Sequence, residues 1–203
     1  MRRMNDFHSL NGATPLEPEE MDELKIGHIT TREELNRFEQ DNIHEALQWL
    51  EGRRRVDILT EKFIKTLHQK MFGNVWRWAG TFRRSGKNIG VDWVQIPVSL
   101  HTLLQDVRYW IEHNTFPTDE IAVRFHHQLV SIHLFPNGNG RHARLMTDVL
   151  LKDVLKQAPF TWDVIDIDVE DEVRNLYLKA LRAADHGDYS MLLEFVRSNQ
   201  RKI

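Results

Sequence analysis

An all-α fold carrying one short β-hairpin is predicted by three features of this 203-residue sequence. Apolar residues recur at helical spacing through most of the chain, capping residues open several of those runs, and the period lapses in a single stretch between Trp76 and Pro97. No internal repeat, low-complexity segment or Pro/Gly/Ser-rich linker divides the chain. It is therefore read as an N-terminal arm, residues 1–30, followed by one domain, residues 31–203.

The elements follow in order. Within the arm, Pro18-Glu19-Glu20 opens a short helix near Glu19. Thr31 and Glu34 have the spacing of a capping box, and Leu35, Phe38, Ile43, Ala46, Leu47 and Leu50 continue at helical spacing, so a helix of about five turns is expected. Thr60 caps the next, with Phe63, Ile64, Leu67 and Met71 as its apolar stripe up to Gly73. Gly80, Gly86 and Gly90 then punctuate alternating and β-branched residues, the pattern of a hairpin. Ser99 starts a helix through Leu103, Leu104, Val107, Trp110 and Ile111, which stops before Pro117. Thr118, with Asp119 and Glu120 in the first turn, opens another that ends at His133. Ala143 to Leu155 is apolar almost all round and reads as a buried helix. Two more helices close the chain, broken near His186-Gly187-Asp188.

Composition narrows the function. Against 27 basic residues stand 30 acidic ones, and a formal net charge of -3 gives no general attraction to nucleic acid or an anionic membrane. The absence of cysteine excludes disulfides, thiolate nucleophiles and thiolate metal sites. No apolar run approaches a membrane span or a secretory h-region, so a soluble, cytoplasmic protein is expected.

The segment HLFPNGNGRHAR, residues 133–144, concentrates chemistry at a helix junction. Gly138 and Gly140 let backbone N–H groups approach a ligand, and the first amides of the following helix favour an anion. Arg141 and Arg144, three apart, present guanidinium forks to the same side, suited to more than one phosphate. His133, at the lip of the loop, is placed to take a proton from a hydroxyl. Neither the P-loop pattern nor the Gly-x-Gly-x-x-Gly turn is present.

This segment resembles the signature of the Fic (Fic/Doc) family, His-Pro-Phe-x-Asp/Glu-Gly-Asn-Gly-Arg-x-x-Arg, through His133, Phe135, Gly138, Asn139, Gly140, Arg141 and Arg144. Residues 71–90, 124–133 and 183–195 extend the resemblance to about 55–198, and the whole chain looks most like the mobile mystery protein B group of bacterial mobile elements. The resemblance implies a Fic-type helical bundle and a protein adenylyltransferase, moving AMP from ATP to a Tyr, Ser or Thr hydroxyl of a target protein. It makes His133 the general base, Gly138, Asn139 and Gly140 the anion cradle, and Arg141 and Arg144 the clamps on the triphosphate. Phe135 would plug the loop into the core. Lys87, Asn88, Ile89, Gly90 and Val91 would form a flap that docks the target, and pyrophosphate would leave on Mg²⁺. Tyr177 falls where the family's last helices approach the adenine, or is a helix-packing residue. A small helix-turn-helix partner and a toxin-like role belong to the same group.

Two positions depart from the signature. Leu134 replaces proline and need only pack, while Asn137 replaces the metal-binding acid and brings a neutral oxygen in its place. The inhibitory Ser/Thr-x-x-x-Glu helix found in many relatives has partial matches at Glu45 and Glu194. His126, His127 and His133 lack nearby acidic partners at ligand spacing, so they are not read as a metal site, and His126 and His127 are read as packing or solvent-facing residues. Arg53-Arg54-Arg55 is read as a solvated helix end. Two other functions stay open: a different phosphate transfer or AMP removal on the same fold, and a degenerate nucleotide-binding module for which Asn137 is the reason.

Overall fold

The computed structural model describes residues 17–29, 31–54, 56–162 and 171–197; most of the expected N-terminal arm, and Arg55, lie outside them. Eight α-helices are found among the described residues: α1 Pro18–Met21, α2 Arg32–Gly52, α3 Glu61–Phe72, α4 Ile96–His113, α5 Thr118–Ile132, α6 Asn139–Val149, α7 Asp171–Ala184 and α8 Ser190–Arg197. They fall into two compact units, Met1–Ile96 with His133–His142, and Pro97–Ile132 with Ala143–Ile203.

The local signals act as the sequence predicts at α2 and α3. Thr31 Oγ1 accepts from the Glu34 amide at 3.1 Å and the Glu34 carboxylate accepts from the Thr31 amide at 3.2 Å, so two of the helix's orphan donors are satisfied reciprocally. Thr60 Oγ1 accepts from Phe63 N at 3.2 Å and starts α3. In this first unit Ile64, Leu67, Met71, Phe72, Val75, Trp76 and Phe135 are fully buried. The inward face of α2 is less apolar than its pattern suggests: Glu39 and Asn42 are buried beside Leu35 and Ala46, whereas Leu47 is exposed. Asn42 explains its own burial by bonding to Lys70 O and to the Asn74 amide, both at 2.9 Å.

The expected hairpin does not form; no strand is found among the described residues, and 81–95 is an irregular loop ending in a 3₁₀ turn, Trp93–Gln95. Its polar backbone is satisfied instead by Arg83, a buried guanidinium whose Nε reaches His133 O at 2.6 Å, Nη1 Ser85 O at 2.9 Å and Nη2 Val91 O. A side chain that collects carbonyls from both ends of the loop removes the need for a cross-strand ladder. The helix α4 begins three residues before Ser99, with Pro97 near its start, where a missing N–H is harmless. The expected Ala143–Leu155 helix begins earlier, at Asn139, and loosens into a π-helical stretch, Leu150–Leu155, ended by Lys156 at φ 57°.

In the second unit a core of Ala122, Val123, Leu151, Phe160, Trp162, Tyr177, Ala180, Leu181, Leu192, Phe195 and Val196 joins α5, α7 and α8. Asp148, on α6, pins the chain before residue 163 by accepting from Trp162 Nε1 at 2.8 Å and Phe160 N at 3.2 Å. Burial pushes its carboxyl up to about 7 against the pull of these donors and of the Arg144 and Arg197 charges. Since the folded value lies above the ordinary 3.8, folding favours the protonated form. The stability this gives is complete below about pH 4 and is lost as pH rises through about 7. Asp148→Asn keeps an acceptor oxygen and cannot ionise. Urea melts at pH 5 and pH 8 are expected to show the unmodified protein losing about 2 kcal/mol more than the mutant, at about 1.4 kcal/mol per pKa unit and discounted for a half-buried side chain. Equal pH dependence in the two would remove Asp148 as the cause. Among the described residues no helix is long and apolar enough to cross a membrane.

Candidate functional site

The loop from His133 to Gly138 is built on three kinds of support. The first is its own sequence: α5 ends at Ile132, His133 turns the chain at φ 56°, and Gly138 turns it again at φ 76° into α6. The second is Asn139, whose Oδ1 accepts from Phe135 N at 2.9 Å while its Nδ2 donates to Phe135 O at 2.7 Å. That reciprocal pair closes the loop on itself, so the Asn139 side chain is a staple, and what it brings to an anion is its backbone amide. The third is the packing beneath. Phe135 is buried and stacks on His68 with ring centroids 3.7 Å apart, and His142 meets Phe135 edge-on while its Nε2 lies 3.0 Å from Ile64 O. Leu134 is buried and packs, as the departure from proline requires.

This support fixes where α6 starts. The first intrahelical bond of α6 runs from His142 N to Gly138 O at 2.9 Å, so the amides of Asn139, Gly140 and Arg141 precede the ladder and form an anion-attracting end. His133 is buried, and desolvation, then the Arg83 and Lys87 charges, lower its pKa to about 4. The imidazole is neutral at ordinary pH and available as a base.

Arg141 donates Nη1 to Glu39 Oε2 at 2.8 Å and lies over the Phe72 ring at 4.8 Å. The other Glu39 oxygen accepts from Trp76 Nε1 at 2.7 Å, which fixes the carboxylate. The sequence did not single out Glu39; its inhibitory candidates were Glu45 and Glu194. Glu45 is exposed and takes Asn74 Nδ2 at 2.7 Å, and Glu194 is exposed on α8; the carboxylate that meets a motif arginine in the first unit is Glu39. Its signal was present, since Glu39 shares the inward face of α2 with Leu35, Asn42 and Ala46, but an acidic residue amid a helix is ordinarily read as solvated. Arg144 follows Arg141 by one helical turn and belongs to the second unit.

Of the five expected flap residues, two are engaged in contacts within the first unit and three are exposed. Lys87 is buried and ion-paired to Glu20 at 2.5 Å, and Ser85 Oγ donates to the same carboxylate at 3.0 Å. Val91 gives its carbonyl to Arg83. Asn88, Ile89 and Gly90 are exposed, with Gly90 at φ 99°. In the second unit Tyr177 is buried, with its hydroxyl 2.8 Å from His126 Nε2, which is the packing role the sequence left open. His126 is held neutral, its pKa lowered to about 3 by burial and then by the Arg144 charge. His127 is likewise enclosed and lies 2.8 Å from Asp185.

The site does not build a metal cage. Asn137 Oδ1 accepts from Gly138 N at 2.6 Å, and among the described residues no three His, Cys, Asp or Glu side chains are arranged to hold an ion. One neutral oxygen engaged in its own loop does not fit a protein-held Mg²⁺.

Residues 58–151 match the Fic/DOC family. A protein adenylyltransferase Fic of Drosophila yakuba is 32% identical over 146 residues, covering 70% of this chain and 28% of that protein. One from Aedes aegypti is 28% identical over 144 residues, covering 69% and 27%. The chain thus spans less than a third of the length of these relatives. Among solved structures, the N-terminal Fic domain of an effector protein from Bartonella sp. AR 15-3 aligns with a TM-score of 0.68 at 15% identity, covering 97% of this chain and 92% of that one. The BepC protein of Bartonella tribocorum, with bound AMPPNP, aligns at 0.64 and 14% identity, covering 90% and 97%. These likenesses show the fold.

Proposed function

Because the chain belongs to the Fic/DOC family, we propose that it is a protein adenylyltransferase that transfers AMP from ATP to a Tyr, Ser or Thr hydroxyl of a target protein. One observation carries the reading: a neutral, buried His133 stands at the start of the same loop whose other end places the Asn139, Gly140 and Arg141 amides ahead of the α6 ladder, with the Arg141 guanidinium on the same helix turn. The target hydroxyl gives its proton to His133 as its oxygen bonds to the α-phosphorus. The bond from that phosphorus to the β-phosphate oxygen breaks, and pyrophosphate leaves held by Arg141 and Arg144. The AMPPNP in the Bartonella tribocorum structure supports a nucleotide in this fold. No step is assigned to Mg²⁺, which the side chains do not fit. A small helix-turn-helix partner and a toxin-like role are proposed on the resemblance to the mobile mystery protein B group.

Incubation with a lysate and ATP labelled at the α- or the γ-phosphate tests the reading. Label from the α position alone supports it. Label from the γ position would point to phosphorylation, and nucleotide binding with no transfer would favour a binding module.

Glu39 is proposed as a counter-charge that restrains the site. A unit charge about 7 Å from a phosphate, the reach of an arginine bridging the two, is worth about 2 kcal/mol at an effective dielectric near 20. Fixing one long side chain is worth only about 0.5–1.5 kcal/mol. Repulsion therefore outweighs the gain from orienting Arg141. Glu39→Gln is expected to raise ATP affinity about tenfold by calorimetry, with α-label transfer rising alongside. Weaker ATP binding in a folded mutant would show that orientation dominates.

A further inference from the structure

We propose that His68, a residue of α3, is a positioning residue that sets the direction of the Gly138 amide and so the shape of the phosphate loop. The inference rests on the function proposed above. Its basis is the set of contacts around one imidazole, which is fully buried in the first unit. The Gly80 amide donates to Nδ1 at 3.0 Å, so Nδ1 carries the lone pair and the ring proton resides on Nε2. Nε2 in turn lies 3.1 Å from the Asn137 carbonyl and donates to it. The ring face rests on Phe135 at an 18° interplanar angle, with Phe72 tilted at 4.9 Å and Trp78 at 6.0 Å around it. Two in-plane bonds and a stacked face leave the ring no freedom to turn.

The bond to Asn137 matters because of peptide geometry. The carbonyl of Asn137 and the N–H of Gly138 belong to one planar trans unit, and point in opposite directions. Drawing the carbonyl toward α3 turns the Gly138 N–H away from α3, where it meets Asn137 Oδ1 at 2.6 Å. A loop free to flip this peptide would break the bond to Asn137 Oδ1 and turn the Asn137 carbonyl, whose dipole repels an anion, away from α3 at the entry to the α6 amides.

The second bond ties the other end of the loop. Gly80 approaches α3 so closely that a Cβ would lie 2.9 Å from Gln69 Cβ and from Lys65 O, at a φ of 79°. Three residues later Arg83 holds the His133 carbonyl at 2.6 Å and its own amide donates to Leu134 O at 3.0 Å. One imidazole thereby bridges the strut that carries the base and the peptide that precedes the cradle. A side chain that merely filled the space would need neither nitrogen.

Paired isosteres separate these roles, since Gln places its amide near Nε2 and Asn near Nδ1. His68→Phe keeps the stack and loses both bonds. It is expected to weaken ATP binding at least tenfold by calorimetry, and to speed hydrogen exchange of the Gly138 amide at least tenfold. His68→Gln, which restores the donor to Asn137, is expected to recover most of both losses, and His68→Asn to recover neither. Native affinity and exchange in a folded His68→Phe protein would overturn the proposal, as would rescue by Asn and not by Gln. If the unmodified protein binds no ATP, the proposed function fails, while the exchange of the Gly138 amide still decides the role of His68.

Discussion

His133→Ala is expected to reduce AMP transfer by about 10²–10⁴-fold, the range that general-base catalysis supplies, while ATP affinity changes by less than about threefold. The split follows from the geometry. The loop is closed by Asn139 on Phe135 and tied to Arg83 through the His133 carbonyl, both of which survive removal of the imidazole. The pH profile sharpens the test. Burial and the Arg83 and Lys87 charges lower the His133 pKa to about 4, so the base is ready through the neutral range. Transfer by the unmodified protein is expected to hold from pH 8 to about pH 5 and to fall about tenfold per unit below about pH 4. The residual activity of the mutant should lack that acid limb. Undiminished transfer in His133→Ala, or an acid limb near pH 6.5, would exclude this residue as the base.

What the sequence made legible divides along a physical line. Helices were readable because each signal is local: Thr31 with Glu34, Thr60 with Phe63, and the apolar spacing between them act within one or two turns. The motif was readable because His133, Gly138 and Arg141 are neighbours in the chain. Residues that support the motif from a distance were not. His68, Arg83 and Glu39 act through contacts 50 to 102 positions away, with Asn137, His133 and Arg141 respectively, and nothing in their local pattern marks them. The hairpin failed because a side chain within the stretch satisfied its carbonyls. Alternation and glycines between Trp76 and Pro97 describe a segment able to form strands, but the buried Arg83 guanidinium, inside that segment, claims the Ser85 and Val91 carbonyls together with that of the distant His133. Lys87, read as part of a target-docking flap, has its side chain buried against Glu20, which lies 67 positions earlier in the chain.

The loop's tolerance is smallest at Gly138, where Gly138→Ala is expected to lower ATP affinity at least tenfold and to destabilise the fold by about 2–4 kcal/mol. Two costs add there. The backbone sits at φ 76°, which costs an L side chain about 1–2 kcal/mol, and an added Cβ would lie 2.6 Å from both Cε2 and Cζ of Phe72. The ring cannot retreat cheaply, because Phe72 is fully buried, stands beside His68 at 4.9 Å and carries the Arg141 guanidinium over its face. Moving the loop instead displaces the Gly138 amide and the start of α6. Either response disturbs the cradle and the arginine together, so binding is expected to fall more than it would from strain alone. Phe72→Leu introduced into Gly138→Ala separates the two costs by calorimetry and urea melts. It gives the Cβ room but leaves φ unchanged, and should recover part of the lost ATP affinity although it removes core volume. No recovery would place the whole effect in the backbone angle. Native ATP affinity in Gly138→Ala would mean that the helix start does not hold the nucleotide phosphates.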